Sequence, residues 1–326
     1  MPILAGDDPV ALRQAAQRLA AGGLVALPTE TVYGLGARAD VDDAVAGIFA
    51  AKGRPVDHPL IVHVQDVADA QAFAAQWPPA ADRLAAAFWP GPVTLIVPRR
   101  VGVAEAASGG LPTIGLRCPA HPVARALLRA AAALGVAGVA APSANRFGRV
   151  SPTRAAHVAA EFGDELLVLD GGACPLGIES TIVDCSRGRP VLLRPGVLTR
   201  AQIEAALGEP LLERDAAAPR SSGDMASHYA PRARVRLFEP APLAAALHAP
   251  DMSANTVAVY SRSCPAGPAG VQWRRQPEQA AAVAHELFAV LRELDAAGVR
   301  EIWIEQPPDT AEWEGVRDRL RRAAAA

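Results

Sequence analysis

The chain has 326 residues, 51% hydrophobic and 20% charged, with a formal net charge of −2 at pH 7. That length points to two domains or one large one, and so even a charge excludes global attraction to nucleic acid or membrane, leaving only local clusters as anion sites. The four cysteines, Cys118, Cys174, Cys185 and Cys264, form no CxxC pair and no Cys/His zinc spacing, which argues for a reducing cytoplasm and against a structural metal.

In chain order, MPILAGDDPVALRQ lacks a basic start followed by an apolar run, so no signal peptide is expected. No later stretch is apolar for long enough to span a membrane. Periodicity predicts a helix over 10–21 and a buried strand over 24–27. Asp40 is expected to cap a helix running to 51, with Asp42 and Asp43 in its first turn. A strand over 59–64, helices over 66–75 and 79–88, and strands over 93–97 and 113–118 follow. Next come a helix over 121–134 and a strand over 136–141. Ser151 and Pro152 predict an N-cap and first-turn proline for a helix to 162. Strands follow over 166–169, 181–185 and 190–194. Thr199 and Gln202 make a capping box for a helix stopped by Gly208. Residues 209–232 are polar and aperiodic and are expected to be a linker. Beyond it the pattern is strand 234–238, helix 241–248, strand 256–260, helix 277–297, strand 301–305 and helix 310–325. That alternation implies a small parallel-sheet domain.

Five polar segments lie at predicted element ends. PTETVYGLG, 28–36, is expected to be a polar loop lining a pocket floor. Its match to GxGxxA from Gly34 to Ala39 lacks the strand–helix setting of a dinucleotide loop. KGRPVDHPL holds Lys52, the only lysine in the chain; the other 31 basic residues are arginine. Lys52 is either retained where a compact ammonium is needed or a chance survivor on a helix end. Lys52 and Arg54 suit the C-terminus of a helix, and equally a clamp for a polyphosphate. His63 lies within an apolar strand, where a histidine is ordinarily a satisfied structural residue. Arg117 ends a strand, where parallel sheets bind ligands. APSANRFGRVSPT, 141–153, offers Ser143, Asn145 and Ser151. GIESTIVD, 177–184, presents Glu179, Ser180 and Thr181, and LLRPG places Arg194 at a strand end. Together these read as a site for an anionic nucleotide, with no catalytic triad and no carboxylate cluster of metal-binding spacing.

These segments, in this order, resemble the threonylcarbamoyl-AMP synthase family, the YrdC-like proteins. The resemblance covers roughly 10–210. SSGDMASHYAP and the remainder resemble the long form of the family. It implies an α/β fold with a YrdC-like twisted open-sheet domain and a second, smaller Rossmann-like α/β domain. Expected boundaries are 1–208 for the catalytic domain, 209–232 for a linker that acts as a lid, and 233–326 for the second domain. The implied reaction is L-threonine, bicarbonate and ATP to threonylcarbamoyl-AMP and pyrophosphate, a nucleotidyl transfer. Transferase partners then pass the threonylcarbamoyl group to tRNA beside the anticodon. By the resemblance, Thr31, His63, Arg117 and Thr181, with the backbone at Ala141, would hold threonine. Arg54, His58, Thr113, Ser143, Ser151, Arg194 and the linker residue Tyr229 would hold ATP. Lys52 would bridge bicarbonate and phosphate charge, with Arg54 beside it as a catalytic residue. Mg²⁺ would arrive on ATP, bound through its phosphates and not through protein side chains. His58 replaces a usual asparagine, and Ser222 and Asp224 a usual proline and methionine.

The implied location is the cytoplasm, without membrane association, and the resemblance leaves room for weak direct RNA binding. Two other functions compete. A non-catalytic RNA-binding protein would need aromatic and basic stripes that this chain lacks. A carbamoyltransferase of the hydrogenase-maturation type would carry CxxC elements and further domains.

Overall fold

The computed structural model describes residues 3–223, 225, 227–249, 252, 254–264 and 267–325. Asp224 lies outside them. The described chain divides into two compact units, one of residues up to 147 with 151–223, the other of 148–150 with residues from 225 onward. The segment expected as a linker is thus shared: 209–223 goes with the first unit, and the rest goes with the second.

The first unit is built on a ten-stranded sheet. Its strands are β1 (Ile3–Ala5), β2 (Val25–Leu27), β3 (Gly34–Arg38), β4 (Ile61–His63), β5 (Val93–Pro98), β6 (Thr113–Arg117), β7 (Val139–Ala140), β8 (Leu167–Asp170), β9 (Thr181–Asp184) and β10 (Val191–Arg194). Their order is β1-β8-β2-β3-β7-β4-β6-β5-β9-β10, with parallel and antiparallel pairs mixed. Its helices are α1 (Pro9–Ala20), α2 (Asp42–Lys52), α3 (Val67–Phe73), α4 (Pro79–Phe88), α5 (Pro122–Ala132), α6 (Ala155–Phe162) and α7 (Arg200–Leu207). α1 and α5 bury Leu19, Leu127 and Leu128 against Val25, Leu27, Leu167 and Leu169 on one side. A larger core gathers Ile48, Phe73, Leu84 and Ile203 over Val62, Leu95, Ile114 and Leu116. Side chains alternate along a strand. The other face of β4, β6, β5 and β9 therefore carries His63, Arg117 and Thr113 beside a small apolar cluster of Ile61, Ile96 and Ile182. That face is where the polar segments meet.

Two predicted caps are corrected. α2 begins after Val41 without a side-chain cap, and Asp40 pairs with Arg38 at 2.6 Å instead. α6 begins at Ala155 with Arg154 at its N-cap, not at Ser151. A buried carboxylate outcompetes the helix end for that serine, whose hydroxyl donates to Glu179 Oε1 at 2.5 Å. Pro152 is meanwhile held by its carbonyl, which accepts from Tyr33 N at 2.8 Å. The expected loop over 28–36 holds only to 33; from Gly34 the chain is β3, which pairs with β2 and β7. The capping box at Thr199 and Gln202 and the left-handed stop at Gly208 form as predicted.

The second unit has strands β11 (Arg234–Phe238), β12 (Val257–Ser261), β13 (Gln272–Arg275) and β14 (Glu301–Glu305) with helices α8 (Pro240–Leu247), α9 (Ala280–Ala296) and α10 (Glu314–Ala324). All pairs are parallel, in the order β11-β14-β12-β13. This is the small parallel sheet expected, with the polar edge strand β13 added. No helix among the described residues is long and apolar enough to cross a membrane.

Candidate active site

The first lobe of the site is organised by Arg117, at the end of β6 and buried. Its Nη1 donates to Thr31 Oγ1 at 2.9 Å, its Nη2 to Glu30 Oε1 at 2.5 Å and its Nε to the Gly91 carbonyl at 3.3 Å. The second oxygen of Glu30 accepts from Ala120 N at 2.9 Å. Burial raises the Glu30 pKa, but the charge and hydrogen bond of Arg117 outweigh it and hold the carboxyl below its ordinary range. One N–H on each terminal nitrogen of Arg117 has no partner among the described residues.

Register brings the rest of that lobe around it. His63 stands opposite Arg117 across β4 and β6. Burial, then the charge of Arg117, pushes the His63 pKa down to about 3, so the ring is neutral at pH 7. Its Nδ1 is buried without a hydrogen-bond partner among the described residues. The ring is therefore only partly satisfied by its surroundings. Thr181 opens β9 opposite Val93, and its N–H donates to the Pro92 carbonyl, next to the Gly91 carbonyl that Arg117 uses. Its hydroxyl is likewise buried and unpartnered among the described residues. Ala141 N donates to the Ile61 carbonyl at 2.9 Å. Buried polar groups without partners are rare, and one of them, His63 Nδ1, stands opposite the arginine.

The second lobe starts where α2 ends. Gly53 terminates α2 in the left-handed conformation, φ 64°, which glycine adopts at no steric cost. Lys52, at the last turn, is 3% exposed. Its ammonium donates to the carbonyls of Ser143 at 2.6 Å and Asn145 at 2.5 Å, which replace its water and leave one of its three protons. Burial, then the charge of Arg54, lowers its pKa well below the ordinary lysine range. Arg54 donates to the His58 and Pro59 carbonyls at 3.4 and 3.0 Å, and its Cζ lies 5.7 Å from the centre of the Phe147 ring. His58 meets the same ring edge-on at 5.5 Å. Arg194, at the end of β10, donates to the Ser180 carbonyl and hydroxyl at 3.0 and 3.1 Å and to the Ser222 carbonyl at 3.0 Å. Ser222 donates in turn to the Pro59 carbonyl at 2.8 Å. Thr113 opens β6, two residues from Gly115 on the same face. Gly115, Ile61, Ile96, Ile182, Ser221 and Ser222 line a shallow depression beside it.

Two short segments join the lobes. In 141–145, Ala141 serves the first and the Ser143 and Asn145 carbonyls the second. In 179–181, Glu179 holds Ser151, Ser180 holds Arg194, and the Thr181 N–H bonds the Pro92 carbonyl beside the first lobe. Sequence reasoning named Glu179 and Ser180 without roles and gave Glu30 none. A lone acid between two threonines, facing a strand-end arginine, was the available signal. Tyr229 belongs to the second unit. It has φ 63°, stacks on Phe288 at 5.3 Å and lies under the Arg319 guanidinium at 5.5 Å, with His228 edge-on at 4.0 Å. The arrangement offers no covalent nucleophile: all four cysteines are free and buried, and burial raises the pKa of Cys118 and Cys174. Among the described residues no three His, Cys, Asp or Glu side chains could hold a metal ion.

Known proteins carry the same organisation. Residues 17–196 match a Sua5/YciO/YrdC family model described as telomere recombination, and residues 198–325 one described as threonylcarbamoyl-AMP synthase, C-terminal domain. The threonylcarbamoyl-AMP synthase of Bacillus subtilis is 37% identical, over 98% of this chain and 94% of its own length. The chain belongs to the threonylcarbamoyl-AMP synthase family. As a member of that family it is an enzyme, a transferase. Its structure is similar to that of Pyrococcus abyssi Sua5 complexed with L-threonine, with a TM-score of 0.85 and 34% identity over 96% of this chain and 94% of that one. The long-form, two-domain organisation is thus shared across almost the whole chain.

Proposed function

We propose that the chain makes threonylcarbamoyl-AMP and pyrophosphate from L-threonine, bicarbonate and ATP, the first step of threonylcarbamoyladenosine formation in tRNA. The observation that carries this reading is His63 Nδ1, buried and unpartnered opposite Arg117, with Thr181 Oγ1 a second unpartnered buried atom at the start of β9. A small amino acid has an ammonium, a hydroxyl and a carboxylate, and it would satisfy both atoms and the two remaining Arg117 N–H groups. The P. abyssi relative named above binds L-threonine, which agrees.

ATP is assigned to the second lobe. Arg54 and Arg194 would offset its phosphate charge, Ser143 would donate to a phosphate oxygen, Ser151, whose proton goes to Glu179, would accept from a nucleotide hydroxyl, and His58 and Thr113 would flank the nucleoside. The apolar floor of Ile61, Ile96 and Ile182 suits the face of a nucleobase. Magnesium enters as part of the nucleotide, held by phosphate oxygens. The threonine amine captures bicarbonate, releasing water and leaving a carbamate. A carbamate oxygen then attacks the α-phosphate, and pyrophosphate leaves. The enzyme supplies position and charge and no covalent intermediate. Lys52, whose third proton is uncommitted, would bridge the carbamate and the phosphate. The segment 209–223, tied to the first unit, would exclude water from the two labile species. The product passes to transferase partners that act on tRNA in the cytoplasm. The test is stoichiometric: pyrophosphate release from ATP should require both threonine and bicarbonate, and release that persists without either rejects the assignment.

A further inference from the structure

Next to Thr31 lies Thr29, 2% exposed, to which the reaction above gives no role. Its hydroxyl oxygen is 2.6 Å from the Val32 carbonyl and 2.9 Å from Thr31 Oγ1, and it also accepts from Thr31 N and Val32 N, both at 3.2 Å. A hydroxyl has one proton, and a carbonyl can only accept. The Thr29 proton is therefore committed to Val32. The contact between the two hydroxyls, at 2.9 Å the shortest this oxygen accepts, then uses the proton of Thr31, while the two N–H groups at 3.2 Å share its other lone pair. Arg117 can only donate, and it reaches the same Thr31 oxygen at 2.9 Å. Thr31 has thus spent its proton on Thr29 and one lone pair on Arg117. What it presents to the pocket is a single acceptor lone pair.

We propose that Thr29 is a positioning residue that makes Thr31 an acceptor only. Thr31 then takes an N–H or O–H of the amino acid and repels its carboxylate, while Arg117 keeps two N–H groups that donate to the carboxylate. The two together fix which way round the amino acid sits before bicarbonate arrives. The proposal rests on the assignment of Thr31 and Arg117 to the threonine pocket.

Thr29→Val removes the acceptor and frees the Thr31 proton to point into the pocket. KM for threonine should rise roughly tenfold, the scale of one neutral hydrogen bond, while KM for ATP stays within about twofold. Thr29→Ser keeps the hydroxyl and should restore KM to near the starting value. Because Thr29 acts through Thr31, adding Thr29→Val to Thr31→Val should cost nothing further in threonine KM, a non-additivity that marks coupled residues. An unchanged threonine KM in Thr29→Val, an equal rise for ATP, or full additivity in the double variant would overturn the proposal. So would failure of both Thr29→Val and Thr29→Ala to fold, which would make Thr29 a turn residue and nothing more. If Thr31→Val alone leaves the threonine KM unchanged, the pocket assignment itself is wrong.

Discussion

At the scale of single residues, the site is dominated by charges removed from water. Lys52 is held by two carbonyls, a geometry that a planar guanidinium would not reproduce in the same space. Lys52→Ala is expected to lower turnover by roughly 10²–10³, as loss of a preorganised charge does, and Lys52→Arg to recover little of it; steady-state pyrophosphate release measures both. Glu30 and Arg117 form an ion pair with side chains 7% and 5% exposed. Removing one partner of such a pair costs about 3–5 kcal/mol, so Glu30→Gln should lower the thermal midpoint clearly. The pH dependence follows from the same groups. Glu30 has a folded pKa below the unfolded 4.5, so its contribution is complete above that value and is lost as pH falls through the folded pKa. His63 has a folded pKa of about 3 against 6.5 unfolded. Between those values the unfolded chain binds a proton that the folded chain does not, and stability falls as pH falls. Denaturation midpoints should therefore decline from about pH 6.5 downward, and His63→Gln should flatten the upper part of that decline. The residue types needed for this chemistry were visible in the sequence, because an arginine at a strand end and a lone lysine stand out from their surroundings. Their partners were not. Nothing in 28–36 says that Glu30 reaches a residue 87 positions away, since that distance is set by the strand order.

Elements carry the next level of detail. Helices such as α1, α5 and α9 were legible because apolar periodicity and N-terminal prolines act locally. β1, β3 and β13 were not: the first is three residues long, the second is glycine-rich, and the third is a polar edge strand. Ser151 shows the opposite failure, a sound local cap signal overridden by a buried carboxylate, Glu179, that arrives from the turn leading into β9. The same segment makes a sharp prediction. A Cβ on Gly196 would stand 2.6 Å from both the backbone N and Oγ1 of Thr181, closer than packed atoms approach. Gly196→Ala should displace Thr181 and raise KM for threonine at least tenfold, with folding retained by circular dichroism. An unchanged KM would mean that Thr181 does not touch the amino acid.

For the whole molecule, the division between units falls inside the polar stretch and not at either of its ends. Residues 209–223 are tied to the first unit by Leu212 beside Val191, Ser222 on Pro59 and Arg220 on Asp57. A chain cut after Gly208 loses the Ser222 carbonyl that accepts from Arg194, whereas one cut after Gly223 keeps it. Intact threonylcarbamoyl-AMP per ATP consumed should rank full length first, the cut after 223 second and the cut after 208 last. Equal yields from all three would show that the polar stretch has no part in protecting the product. The use of arginine in place of lysine at every other basic position also leaves this enzyme with a spectroscopic label of its own. Lysine carrying ¹³C at Cε, fed during growth, would give one side-chain resonance from the entire protein, and it would need no assignment. Its chemical shift against pH reads the ammonium directly, and should titrate well below ordinary lysines in the free enzyme. Adding ATP should move the midpoint upward, because phosphate oxygens favour the charged form.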